Sequence, residues 1–181
     1  MLCASWERYN EDLLAECVNI VCRHVAGANE LPIEVQKTVS NAVKSDSNQL
    51  SPIRATGEGW KTIWEELAIS ETENLNTPKS EQLNAMFSKY LGITCYSYLW
   101  PGNSHADMDA FVTVRGEIAH RGSHAQYVRL KDLQKSIDLV ISTAIEIDGK
   151  IAEYLRTQFG LKKMPWELTY PRTLESYLEG I

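Results

Sequence analysis

The chain has 181 residues, enough for one domain with a real core, and its 44% hydrophobic and 23% charged content is that of an ordinary globular protein. Its net charge of −6 excludes a protein that coats nucleic acid by a general basic excess, although it leaves room for RNA at a local patch. No signal peptide is expected, and no apolar run reaches the ~18 residues that a membrane span needs. The four cysteines (Cys3, Cys17, Cys22 and Cys95) show no metal-ligand spacing and read as buried, reduced thiols of a cytoplasmic protein.

The first helix is expected from Met1 to about Val25, with Trp6, Tyr9, Leu13, Leu14, Cys17, Val18, Val21 and Val25 on its apolar face. No capping residue precedes it, which suggests a trimmed start or a longer native chain upstream. Ala26 to Asn29 ends it, and Pro32 restarts a shorter helix carrying Val35, Val39 and Val43. The polar stretch from Ser45 to Gly59 reads as a loop. Trp60 to Ile69 is a short helix whose aromatics follow helical spacing, as core or dimer contacts do. Thr77 is the expected N-cap of the next helix, with Pro78 in its first turn and Gly92 as its stop. Ile93 to Trp100 fits either a brief strand or an irregular packed segment.

Ser104 is expected to cap a helix spanning about His105 to Arg121, with Phe111, Val114 and Ile118 at three- and four-residue steps and Gly122 as its end. After a loop holding His124 comes the longest helix, about Lys131 to Phe159, whose apolar positions start at Leu133 and pass a weak point at Gly149. The tail holds Pro165, Pro171 and one amphipathic turn (Leu174, Tyr177, Leu178). Together these elements predict an all-α bundle with a long C-terminal helix and short connecting helices. The expected division is a helical domain over 1–160 and an arm over 161–181 that packs on it or on a partner subunit.

The chemistry concentrates at the end of the helix expected over His105 to Arg121. Arg115 is a permanent, forked cation that can bind two phosphate oxygens, and His120 is of the side-chain type that titrates near neutrality. Five residues apart on a helix, they are separated by about 7.5 Å along the axis and roughly 140° around it, the two walls of a groove rather than one stripe. The same spacing also describes two residues that merely favour the negative end of the helix dipole. Between Thr113 and Lys131, Arg115, Arg121, Arg129 and Lys131 stand against Glu117 alone, a basic island on an acidic chain. His124 follows His120 by four residues, but Gly122 interrupts the helix and no further ligand completes a set, so no metal site is expected. His24 and His105 read as structural.

The run Val114-Arg115-Gly116-Glu117-Ile118-Ala119-His120-Arg121-Gly122, followed by a loop and a long helix, resembles the R-x4-6-H signature of the HEPN superfamily of helical ribonuclease domains. The opening Leu2-Cys3-Ala4-Ser5-Trp6-Glu7-Arg8-Tyr9, through Leu13-Leu14, resembles the first helix of its RiboL-PSP-type branch. The likeness is best over residues 1–25 and 106–156. It implies a HEPN-like bundle with Arg115 and His120 as catalytic residues and Glu7 at a family position from which Arg115 could be oriented. Glu117, Arg121 and His124 are then candidates for lining a substrate groove.

It further implies an RNA substrate, no cofactor, and a homodimer that joins two motif helices into a composite site. The setting implied is toxin-antitoxin or phage defence, with an antitoxin or a larger defence protein as a possible partner. One departure is Gly116, where the family commonly has Asn or another polar residue. That departure and the acidic balance sustain the alternative of a catalytically silent module that binds RNA or a protein. Some family members carry a modifiable Tyr two residues past the His; Gly122 stands there, so that regulation is not carried over.

Overall fold

The structure, a computed structural model, describes residues 2–102, 104–121 and 130–167, with backbone alone over 115–121. Its helices are α1 (Leu2–His24), α2 (Ile33–Ser45), α3 (Ser51–Arg54), α4 (Gly59–Glu73), α5 (Ser80–Leu91), α6 (Ser104–Arg121) and α7 (Leu130–Gln158), with 3-10 turns at Ala28–Glu30 and Tyr96–Leu99. No strand occurs among the described residues.

The bundle is organised around α1, which packs on α4, α5, α6 and α7. Its apolar positions recur with helical period and vanish from solvent: Trp6, Leu14, Cys17, Val18 and Val21 are essentially fully buried. Trp6 donates its indole hydrogen to the Pro78 carbonyl (3.0 Å) and meets Trp100 edge-on, so one side chain joins α1, the approach to α5 and the approach to α6. Tyr9 donates to Asp148 (2.7 Å), tying α1 to α7. Trp60 and Trp64 are core residues of α4, and the stripe continues through Ala68 and Thr72, which carries the helix past the expected end at Ile69.

Two expectations about local structure need correction, and one open alternative is decided. The segment 45–59 is not all loop. Asp46 accepts the Asn48 amide and the Ser51 hydroxyl, Asn48 accepts the Leu50 amide, and Pro52 presets the backbone, so a four-residue helix forms inside a stretch rich in turn residues. For Ile93 to Trp100 the second of the two alternatives holds: it is an irregular packed segment of turns and one 3-10 helix, with the Tyr96 ring stacked on Phe87 at 3.7 Å. Cys95, at the entry to that turn, is exposed, whereas Cys3, Cys17 and Cys22 are buried as expected; none of the four is in a disulfide.

The start of α5 also differs. Lys79 is extended and Thr77 provides no cap; the Pro78 carbonyl serves Trp6 instead. The helix stops at Gly92 as expected, in the left-handed conformation (φ 77°), with Ile93 N–H donating back to Phe87 O. Leu133 is exposed because the opening turns of α7 stand clear of the core; burial begins at Val140 and runs through Thr143, Ile147, Ile151 and Leu155. Past the end of α7, Leu161 is buried and Trp166 packs against the core.

Candidate functional site

The site expected from the motif belongs to α6. This helix buries Ser104, Met108 and Val112 and half-buries Phe111, the face turned to α1, α5 and α7. Val114 was expected on that face but is 49% exposed, because the inward line follows Met108 and Val112 rather than Phe111 and Val114. Ile118 has no described side chain. Ser104 is the first helical residue rather than the cap, and its buried hydroxyl finds no partner among the described residues.

What locks α6 to its neighbour is a residue that sequence reasoning missed. Asp109 accepts the Ser80 backbone N–H (2.7 Å) and the Ser80 hydroxyl (2.5 Å). The carboxylate of one helix thereby satisfies a free amide in the first turn of another, where the helix dipole also favours negative charge. Nothing local in the sequence announces the pair, since 29 residues separate the partners.

Arg115, Glu117, His120 and Arg121 all fall on the last two turns of α6, where the backbone is continuously helical. In that register position 115, seven residues after Met108, falls about 20° from its line, and position 120 about 120° round from it. The two motif positions thus lie at different angles on one helix. Their side chains lie outside the described residues, as does His124 entirely. Glu7 is half-buried on α1, which packs against α6. His105 is half-buried in the first turn of α6, and exposed His24 donates through Nδ1 to the Ile20 carbonyl (2.8 Å).

Other chemistries find little support. Among the described residues, no group of three or more His, Cys, Asp or Glu is placed to hold a metal ion. Burial, followed by the charge of Glu16, pushes the Cys17 thiol well above its ordinary range, and burial with Glu65 pushes Cys22 up to about 12. Thiols held protonated in this way are poor nucleophiles. A groove of about 460 Å3, lined by Leu31, Val39, Val43, Pro52 and Trp60 among others, lies between α2, α3 and α4, away from the motif helix. No described helix is long and apolar enough to cross a membrane.

Among the described residues, an all-helical bundle whose last and longest helix follows one ending in an Arg-x4-His motif has the architecture of a HEPN-type domain. The profile of the RiboL-PSP-HEPN family matches residues 1–153, and the chain belongs to that family. No curated protein and no solved structure matches.

Proposed function

We propose that the protein is a metal-independent endoribonuclease that uses the 2′-hydroxyl of RNA as nucleophile. One observation carries this reading: in a chain of the RiboL-PSP-HEPN family, Arg115 and His120 share the last two turns of one unbroken helix. HEPN domains are commonly ribonucleases, bind RNA and often pair.

The chemistry follows from the substrate. A base removes the 2′-hydroxyl proton, the freed oxygen attacks the adjacent phosphorus, and the bond from phosphorus to the 5′-oxygen breaks as an acid protonates that oxygen. The products are a 2′,3′-cyclic phosphate and a 5′-hydroxyl, and no metal-bound water is required. His120 supplies the proton transfers, and the Arg115 guanidinium holds the phosphoryl oxygens as they gain charge. Base and acid act on opposite sides of the phosphorus, which one imidazole serves poorly. Two copies of α6 across a two-fold axis supply two, so the working unit is a homodimer with a composite site. Glu117, Arg121, His124 and Glu7 are the candidate groove residues around it, and the setting is a bacterial toxin-antitoxin or phage-defence system.

A second reading rests on Gly116. A small apolar residue after the motif Arg, where the family commonly has a polar one, fits a silent domain that binds RNA or a partner protein. Cleavage of RNA in EDTA by the parent, Arg115→Ala and His120→Ala separates the two. Cutting by the parent alone supports the nuclease, and binding without cutting by any of them supports the silent module.

A further inference from the structure

We propose that Asp109 is a positioning residue: its bonds to Ser80 set the rotation and height of α6, and through them the placement of Arg115 and His120 against the phosphodiester. The inference rests on the nuclease reading above and adds to it a residue outside the motif.

Apolar burial is non-directional, so Met108 and Val112 hold α6 against the bundle without fixing its turn or axial level. Directional bonds do that. Among the described residues of α6, Asp109 is the one whose side chain hydrogen-bonds another helix; Thr113 only returns a bond to the Asp109 carbonyl of its own helix. Both contacts are charge-assisted, and one uses a backbone amide, which cannot swing away as a side chain can.

The anchor also stands at a distance from the motif that gives it leverage. Position 115 lies about 9 Å beyond Asp109 along the axis and position 120 about 16 Å. A tilt of roughly 5° at the anchor therefore shifts position 120 by more than about 1 Å, a displacement that can cost on the order of 100-fold in rate. The two side chains described beyond Val112, Thr113 and Val114, both face solvent and add no second anchor to α6.

The test compares the full chain with Asp109→Ala, Asp109→Asn, Ser80→Ala and Val39→Ala. Val39 is a buried α2 residue away from α6, and its truncation lowers stability without touching the anchor. RNA cleavage is measured well below each melting temperature. Asp109→Ala is expected to lower kcat about 10- to 100-fold with KM within about twofold. Asp109→Asn keeps an acceptor for the Ser80 amide but loses the charge, Ser80→Ala keeps the backbone contact alone, and each recovers part of the rate, while Val39→Ala keeps the parental kcat. In parallel, hydrogen exchange of the α6 amides past Asp109 should accelerate at least about 10-fold in Asp109→Ala, with α2 unchanged. Parental kcat in Asp109→Ala, or an equal loss in Val39→Ala, overturns the positioning role. Unchanged exchange overturns the anchor whatever the parent cuts; accelerated exchange with a parent that cuts no RNA overturns the nuclease reading and leaves the anchor standing.

Discussion

Tyr96 donates its phenolic hydrogen to Asn10 Oδ1 across 2.7 Å, joining the turn that leads toward α6 to the first helix at a point where neither side chain meets water. Asn10 in turn donates to the Trp6 carbonyl (2.7 Å), so the amide is used on both sides. A buried polar pair of this kind contributes little net energy while intact and costs much when one half is removed.

Tyr96→Phe is therefore expected to destabilise the fold by about 1–3 kcal/mol, because it leaves Asn10 Oδ1 buried without that donor. The ring and its stacking on Phe87 are retained, so the loss isolates the hydroxyl. Urea unfolding of parent and variant at neutral pH measures it; equal midpoints would contradict the bond's role.

Gly92→Ala is expected to cost more than the ~1 kcal/mol typical of a mild backbone change. Gly92 holds φ 77°, and a Cβ there would come within 2.5 Å of the Pro32 Cβ, so strain and a clash add. A melting temperature several degrees lower, with helical content retained, is the expected readout.

The chain should also lose stability in alkali. Burial raises the Cys17 thiol and the Tyr96 phenol well above their ordinary ranges, and it carries Cys22 and Tyr154 up to about 12. Each group keeps its proton to higher pH in the folded chain than in the unfolded one. Its contribution is whole below the unfolded value, near 9 for the thiols and 10 for the phenols, and drains away as pH climbs toward 12. Urea midpoints should fall steadily from pH 9 to pH 11, and a flat profile would contradict the burial of these groups.

Much of the fold is written in the sequence because its determinants are local. The apolar face of α1 repeats at helical spacing from Trp6 to Val21, and Gly92 marks its own stop. What is not local was not legible. The cap of α5 arrives from Asp109 on another helix, so Thr77 looked like the better start. The helix α3 hides among turn residues, since Asp46, Asn48, Ser51 and Pro52 support a loop and a helical first turn equally well. Val114 and Leu133 are apolar and in phase, yet exposed, because periodicity shows that a face exists without showing what lies opposite it. The candidate site divides in the same way: Arg115 and His120 stand out by residue type and spacing, whereas the bond from Ser80 to Asp109 on the same helix does not.

The most direct measurement is cleavage of RNA in EDTA, with end-group analysis, by the parent, Arg115→Ala and His120→Ala. The expected result is 2′,3′-cyclic phosphate ends from the parent, with the His120→Ala rate lower by on the order of 10²–10⁴, at unchanged helical content and size in solution. Parental cleavage rates in both variants would contradict the assignment.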